Sequence, residues 1–187
     1  MPLRPFSVCV YCGSRDGTDP GFASSAEMTG TMLANNGWRL VYGAGDVGLM
    51  GRVARAAQTA NGETFGVIPE HLVKWEVGKT DLTSFMITET MHERKKVMLK
   101  NADAVVLLPG GAGSLDEVFE ALTWRQLELH SKPVFVLNIN GYWDPLLTLI
   151  NHTIANGFAD DDLRDFLHVV DGVPALKNEL RQYAAAH

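Results

Sequence analysis

Short apolar runs alternate along this chain with longer amphipathic segments, and this alternation restricts the fold more than any other feature of the sequence. The apolar runs have the length of β-strands, and the segments between them repeat apolar residues at helical spacing. Strands that alternate with helices are typical of parallel βαβ units. The sequence therefore predicts an α/β fold with a mostly parallel sheet of about seven strands flanked by helices.

The predicted elements cover most of the chain. The strands are Phe6–Cys12, Arg39–Tyr42, Thr64–Ile68, Ser84–Thr88, Ala104–Leu108, Val134–Asn138 and Phe166–Val170, and the helices are Gly21–Asn35, Val47–Ala60, Met91–Lys100, Ser114–Leu129, Asp144–Asn156 and Pro174–Ala184. Asn-Gly pairs follow several of these helices, as expected where a helix ends. The irregular stretch Pro69–Asp81 is a candidate lid, because long connections in compact domains are often functional.

Length and composition are those of a soluble protein with one domain, residues 1–187. Apolar residues make up 46% of the chain, and no apolar run approaches the roughly 18 residues of a membrane span. Cys9 and Cys12 form neither a disulfide framework nor a complete zinc site, and the first residues lack a signal-peptide cleavage site. We therefore expect a cytoplasmic protein without a metal or a membrane partner. The net charge of −6 disfavours binding to nucleic acid.

The glycine-rich segment Pro109–Ser114 follows a predicted strand and precedes an amphipathic helix. Its glycines allow backbone amides to approach an anion, and the helix N-terminus adds N–H donors and about half a positive charge. Ser114 can add a hydroxyl. The alternative is a capping box, in which Ser114 is the N-cap and Glu117 bonds back to its amide. Three glycines within four residues favour phosphate binding, because a simple turn rarely needs more than one residue with special backbone freedom.

Arg94 combines a charge with an apolar helix face. It lies near the start of the helix predicted from Met91, on the same side as Met91 and Met98, so it cannot simply point into water. The helix dipole disfavours a cation at this end unless an anion lies in front of it. A bound phosphate or carboxylate would resolve that conflict. The alternatives are a guanidinium that extends past the methionines and a structural ion pair with Glu117.

Two further segments follow predicted strands and therefore belong to the edge of the sheet where ligands bind. Gly43–Gly51 contains the spacing GxGxxG of dinucleotide-binding turns, with Glu70 about 20 residues beyond. Asp46 inside that turn would repel a pyrophosphate, so close packing of a helix on the sheet is the alternative. The turn Tyr11–Arg15 could supply an amide, a hydroxyl and a cation to the same crevice, or be an ordinary loop.

Three motifs occur in a fixed order: YGAGDVGLMG from Tyr42, MHERK from Met91 and PGGAGSLDE from Pro109. Together they resemble the LOG family, the cytokinin riboside 5′-monophosphate phosphoribohydrolases. Thr123–Leu127 and Asn140–Asp144 are similar to later segments of that family, so the resemblance covers nearly the whole chain. Members of this family have also been labelled lysine decarboxylases.

The resemblance implies a Rossmann-like, doubly wound fold and a homodimer. It also implies hydrolysis of an adenine nucleoside 5′-monophosphate, AMP or prenylated AMP, to a free base and ribose 5-phosphate, without a cofactor. By the family's pattern, Arg94 and Glu117 match the catalytic pair. We assign to substrate binding Glu76 in the candidate lid, Met91, Lys95, Gly110, Gly111, Ala112, Gly113 and Ser114, together with Gly13, Ser14 and Gly45 in the two earlier turns.

The sequence departs from the family pattern at two positions. Ser114 replaces the usual threonine, and its hydroxyl preserves the means of contacting a phosphate. Ala44 replaces a glycine, so the turn requires either a negative φ at this residue or some strain. Neither change removes a catalytic group.

Cleavage of a ribosyl C–N bond builds positive charge on the sugar, which a carboxylate stabilises while it deprotonates the attacking water. Glu117 fits this role, and its predicted place in the first turn of a helix favours the ionised form. Arg94 stays protonated at neutral pH, so we expect it to orient Glu117 and the substrate. Two other functions stay open: a nucleotide-binding sensor without turnover, and a pyridoxal phosphate decarboxylase, for which no lysine stands out.

Overall fold

The computed structural model describes residues 4–73 and 81–186, and these form a seven-stranded parallel sheet with helices on both faces. The strands are β1 (Ser7–Tyr11), β2 (Arg39–Tyr42), β3 (Thr64–Pro69), β4 (Ser84–Thr88), β5 (Ala104–Leu107), β6 (Val134–Leu137) and β7 (Leu167–Val170). Their order across the sheet is β4-β3-β2-β1-β5-β6-β7. Because the chain winds outward from β1 in one direction and from β5 in the other, the predicted α/β, doubly wound fold is confirmed.

The helices in the described residues are α1 (Pro20–Asn35), α2 (Gly48–Thr59), α3 (Glu70–Val73), α4 (Met91–Lys100), α5 (Ala112–Gln126), α6 (Asp144–Ala155), α7 (Asp162–Asp165) and α8 (Val173–Ala186), with a 3-10 turn at Ile139–Gly141. Among them, none is both long and apolar enough to cross a lipid bilayer. The short helices α3 and α7 do not appear in the sequence prediction, because four residues are too few to reveal a helical period.

The predicted strand ends agree with the structure to within one residue. The largest difference between prediction and structure is at α5, which runs from Ala112 to Gln126 rather than from Ser114 to Leu129. The stretch Pro69–Asp81 begins with the end of β3 and with α3, so its first part is not irregular. Residues 74–80, which include Glu76 of the candidate lid, lie outside the described residues.

Two hydrophobic clusters lie on opposite faces of the sheet, because successive residues of a strand point to opposite sides. On β1, Val8 and Val10 join the cluster with α1, α2 and α8, whereas Cys9 and Tyr11 join the cluster with α4, α5 and α6. Both Cys9 and Cys12 are free and buried. Burial on both faces explains why the central strands have continuous apolar sequences.

The turn after β2 contains a strained residue. Ala44 is fully buried and has a φ of 58°, in the left-handed region. This conformation costs a residue with a Cβ about 1–2 kcal/mol. Of the two possibilities that the sequence leaves open at Ala44, the structure has the strained one.

Candidate functional site

A cavity of about 510 Å³ opens where the order of the sheet reverses, at the carboxyl ends of β1 and β5. Ligands of doubly wound sheets bind at such a reversal, and the volume is within the roughly 300–1,000 Å³ of small-molecule sites. The turns after the two strands meet there, because the Gly13 amide donates to the Pro109 carbonyl oxygen at 3.0 Å. The lining residues are Cys12, Gly13, Ser14, Arg15, Asp16, Gly17, Phe22, Leu49, Met50, Met91, Arg94, Pro109, Gly110, Gly111, Ala112, Gly113, Ser114, Glu117 and Tyr142.

The cavity brings together most of the residues that the sequence assigns to catalysis or binding. Gly45 and Lys95 are not among its lining residues, and Glu76 lies outside the described part of the chain. The sequence assignment omits Phe22, for which no sequence signal exists, and Tyr142, which stands within the family-like segment Asn140–Asp144. That segment is the signal that could have identified Tyr142.

The N-terminus of α5 contributes backbone N–H groups to the cavity. Gly111 is the N-cap of α5, and no side chain in the described residues caps this end of the helix. Ser114 is thus the third residue of the helix, so the capping-box alternative for Ser114 and Glu117 is wrong. Glu117 lies in the second turn of α5, not in the first turn as predicted. Amides in the first turn of a helix have no partner within that helix, and the helix dipole makes this end attractive to an anion.

The glycines of this turn differ in their surroundings. A Cβ at Gly110 would overlap the Ser114 side chain, so a larger residue does not fit there. At Gly111 and Gly113, no described protein atom lies within 4 Å of an added Cβ. The φ of Gly111 is −104°, which residues with a side chain also adopt. Gly111 therefore does not need the special backbone freedom of glycine that the sequence predicts. Gly111 and Gly113 leave free space beside the backbone at the start of α5.

Arg94 is 5% exposed, as its position on an apolar helix face predicts. Its Nε donates to the Val67 carbonyl oxygen at 3.1 Å, and its Nη2 donates to the Gly43 carbonyl oxygen at 2.8 Å. Backbone carbonyl dipoles therefore face this cation at the start of α4. A Cβ at Gly43 would overlap the guanidinium, so the glycine at this position makes room for Arg94.

Lys95, next to Arg94 on α4, joins this helix to α5. Its ammonium lies 3.0 Å from carboxylate oxygens of Asp116 and Glu120, and its side chain is 6% exposed. Burial lowers the pKa of Lys95, but the hydrogen bonds to Asp116 and Glu120 outweigh burial, and the pKa is raised overall. The ammonium is occupied by these carboxylates, so a contact between Lys95 and a nucleotide stays a prediction.

Glu117 is one of the two acidic residues among the described residues that line the cavity. Asp16, the other acidic residue of the lining, accepts hydrogen bonds from Arg52 at 2.8 and 3.0 Å. Burial raises the pKa of the Cys12 thiol far above its ordinary value, and the Glu117 carboxylate raises it further, so this thiol is not a nucleophile at neutral pH. In the described residues, no group of three or more His, Cys, Asp or Glu side chains could hold a metal.

In the segment Gly43–Gly51 after β2, protein atoms occupy the space beside Gly48 and Gly51. A Cβ at Gly48 would overlap the backbone of Arg15, and a Cβ at Gly51 would overlap the backbone of Asp46. The Asp46 carboxylate itself accepts a hydrogen bond from Arg55 at 2.7 Å. These contacts agree with the packing interpretation of the motif.

Sequence comparison identifies relatives along nearly the whole chain. A family model described as "Possible lysine decarboxylase" matches residues 50–180. The chain is 39% identical over 180 residues to the probable cytokinin riboside 5′-monophosphate phosphoribohydrolase LOGL1 of Oryza sativa subsp. japonica, which covers 96% of this chain and 81% of the rice protein. It is 36% identical over 180 residues to the cytokinin riboside 5′-monophosphate phosphoribohydrolase LOG2 of Arabidopsis thaliana, with 96% and 84% covered.

Solved structures share the fold at lower sequence identity. The molybdenum cofactor carrier protein of Chlamydomonas reinhardtii has a TM-score of 0.73 and 22% identity, covering 97% of this chain and 99% of that chain. The molybdenum cofactor binding protein of Rippkaea orientalis has a TM-score of 0.71 and 23% identity, covering 98% and 99%. These similarities concern the Rossmann-like fold.

Proposed function

Because the chain belongs to the LOG family of cytokinin riboside 5′-monophosphate phosphoribohydrolases, we propose that it hydrolyses the N-glycosidic bond of adenine nucleoside 5′-monophosphates. The products are a free base and ribose 5-phosphate. The observation that carries this proposal is the cavity that combines the uncapped start of α5 with Glu117 and Arg94. Binding and cleavage of one nucleotide require these two parts side by side.

The start of α5 is the proposed phosphate site. Gly111, Ala112, Gly113 and Ser114 line the cavity, and the helix dipole adds partial positive charge. We assign the phosphate contacts to the backbone amides of this segment and to the Ser114 hydroxyl. The protein has a net charge of −6, so a local arrangement of this kind is needed to hold a dianion.

Glu117 is the proposed base. It follows Ser114 by three residues on the same helix face, about 4.5 Å further along the axis, so a phosphate at the helix start leaves the ribose beside Glu117. There the carboxylate deprotonates the attacking water and stabilises the positive charge that develops on the sugar. The buried Arg94, held by two backbone carbonyls, orients Glu117 and the substrate as a fixed cation.

The older family description, possible lysine decarboxylase, fits the cavity less well. A pyridoxal phosphate enzyme needs a lysine beside the cofactor. No lysine is among the described residues that line the cavity, and Lys95 is bound to Asp116 and Glu120. These contacts favour the hydrolase.

We propose further that the chain is one catalytic domain, that it works in the cytoplasm without a cofactor or a nucleic acid partner, and that it forms a homodimer. Two exposed apolar side chains just after α5, Leu127 at 63% and Leu129 at 66% exposure, support a contact between two copies. Light scattering on the purified protein tests the dimer: twice the chain mass supports it, and a monomer rejects it.

The experiment that tests the activity is incubation of the purified protein with AMP and, separately, with its N6-isopentenyl derivative. Chromatography should detect free base and ribose 5-phosphate in equal amounts from at least one of the two substrates, and the ratio of rates gives the N6 preference. Binding of both nucleotides without release of base would instead favour the sensor. Release of carbon dioxide from lysine that depends on added pyridoxal phosphate would favour the decarboxylase.

A further inference from the structure

Tyr142 lines the cavity from the loop between β6 and α6, and its hydroxyl donates a hydrogen bond to the Gly110 carbonyl oxygen at 2.6 Å. Gly110 directly precedes Gly111, the N-cap of α5. Because the peptide group is planar, a fixed Gly110 carbonyl also fixes the direction of the Gly111 N–H. One hydroxyl therefore sets the orientation of a peptide at the proposed phosphate site.

The backbone of this loop is left-handed immediately before Tyr142, and the strain lies at Asn140, because glycine adopts such a conformation freely. Asn140 has a φ of 52° and Gly141 a φ of 74°, so two consecutive residues are in the left-handed region. A Cβ at Gly141 would lie 2.7 Å from Asp144 Oδ2, so this position has little room for a larger residue. Strained backbone of this kind persists where the surrounding structure over-determines it, and it clusters at functional sites.

Side-chain hydrogen bonds hold the strained loop. Asn138 Oδ1 accepts from the Trp143 amide at 2.7 Å, and Asn138 Nδ2 donates to Asp144 Oδ1 at 2.7 Å. Asn140 Nδ2 donates to Asp19 Oδ2 at 2.8 Å, and Asp19 also caps α1. Hydrogen bonds therefore fix this loop internally and attach it to the N-cap of α1.

Aromatic contacts fix the ring of Tyr142 independently of its hydroxyl. The ring packs edge to face against Phe22, with 5.1 Å between centroids, and against Trp143, with 4.8 Å between centroids. Such pairs stabilise a ring beyond simple burial. Removal of the hydroxyl alone therefore leaves the ring in place.

We propose that Tyr142 is a positioning residue for the substrate phosphate, an inference that rests on the proposed function. A carbonyl oxygen carries partial negative charge, and one left without a donor beside a phosphate repels it. The Tyr142 hydroxyl satisfies the Gly110 carbonyl and holds the Gly110–Gly111 peptide, so the amides at the start of α5 stay directed to the anion. Tyr142 acts through this backbone and does not contact the reacting atoms.

The test compares the wild type with Tyr142→Phe, which keeps the ring and loses the hydroxyl. Calorimetry measures the Kd for ribose 5-phosphate and for adenosine, and a base-release assay gives kcat and KM for AMP. We expect the Kd for ribose 5-phosphate and the KM to rise together, on the order of tenfold, because one hydrogen bond at an anion site is lost. The affinity for adenosine, which lacks the phosphate, and kcat should change less than about twofold.

Trp143→Phe is the matched control, because Trp143 belongs to the same loop and packs on the same ring. Its buried indole Nε1 has no hydrogen-bond partner among the described residues, so this substitution removes no such bond. Phenylalanine keeps an aromatic ring against Tyr142 and leaves its hydroxyl on the Gly110 carbonyl oxygen, so the Kd for ribose 5-phosphate should equal that of the wild type. Thermal unfolding of both variants reports whether each is folded.

A Kd for ribose 5-phosphate that rises less than about threefold in Tyr142→Phe overturns the role of Tyr142, since one lost hydrogen bond predicts more. An equal rise in Trp143→Phe also overturns it, because the effect then belongs to the loop as a whole. A wild type that binds ribose 5-phosphate but releases no base overturns the proposed function instead, and the shift in Kd still supports Tyr142.

Discussion

Two glycine-rich turns at the carboxyl edge of the sheet look alike in sequence but differ in what occupies the space beside their glycines. In the turn after β2, an added Cβ at Gly43, Gly48 or Gly51 would overlap protein atoms. In the turn after β5, the space beside Gly111 and Gly113 is free of described protein atoms, and both residues line the cavity. The first turn uses Gly43, Gly48 and Gly51 to pack the protein, whereas the second leaves room beside Gly111 and Gly113.

Glycine spacing alone therefore does not identify a phosphate site. Position in the sheet and charge separate the two turns. The turn after β5 lies where the strand order reverses, whereas the turn after β2 does not and carries Asp46. The two turns are still connected through Arg94. Its guanidinium donates to the Gly43 carbonyl oxygen in the turn after β2, and Arg94 also lines the cavity beside the turn after β5.

In the turn after β2, Gly43→Ala should give the largest losses of stability and activity. The added methyl group overlaps the Arg94 guanidinium and breaks its bond to the backbone. We expect the free energy of unfolding to fall by about 2–4 kcal/mol through overpacking and a lost charged hydrogen bond. We also expect kcat to fall about 100-fold, as for a catalytic group displaced by about 1 Å. Urea unfolding and base release measure the two effects, and wild-type values for both would refute the packing role of Gly43.

In the turn after β5, Gly113→Ala should weaken substrate binding without a loss of stability. Gly113 is a helical residue with free space beside it, so alanine should leave the free energy of unfolding unchanged or raise it by up to about 1 kcal/mol. The methyl group enters the space proposed for the phosphate, so the KM for AMP should rise about tenfold. If Gly113→Ala instead lowers stability and leaves KM unchanged, the two turns do not differ in the way described.

Removal of the ion pairs of Lys95, which join α4 to α5, should have the smallest effect on stability. Lys95→Met keeps the aliphatic chain and removes the ammonium that binds Asp116 and Glu120, so we expect the free energy of unfolding to fall by about 1 kcal/mol at neutral pH. Since the pKa of Lys95 is raised in the folded protein, its stabilisation is complete below the unfolded pKa and is lost as pH rises through the folded value. The difference between wild type and variant should therefore shrink above about pH 10.4.

Urea unfolding at a series of alkaline pH values checks this prediction for Lys95. A difference that stays constant across the series would contradict the ion-pair account. A loss of AMP affinity in Lys95→Met, with stability unchanged, would show instead that Lys95 serves the nucleotide, as the family pattern implies.

The sheet was predictable because its central strands are buried on both faces and stand out as apolar runs, whereas the edge strands β4 and β7 are partly exposed. The start of α5 was not, because Ser114 and Glu117 have a valid capping-box spacing, and tertiary structure places the N-cap at Gly111 instead. Similarly, the left-handed φ of Ala44 depends on the packing of a buried turn, which local sequence does not encode.

Parts of the site follow from sequence and parts do not. The burial of Arg94 follows from its apolar neighbours on one helix face, but its partners Val67 and Gly43 come from other elements. The bond between Tyr142 and Gly110 joins residues that are 32 positions apart. Contacts of this kind depend on the order of strands in the sheet, which the alternation of elements leaves open.

We propose that Glu117 performs the cleavage while the amides at the start of α5 hold the phosphate. Glu117→Gln tests it most directly, because the amide keeps the size of the side chain and removes the base. We predict that kcat for release of base from AMP falls by about 10²–10⁴-fold, while the Kd for ribose 5-phosphate is unchanged or lower. A Glu117→Gln variant that releases base at the wild-type rate would contradict the account.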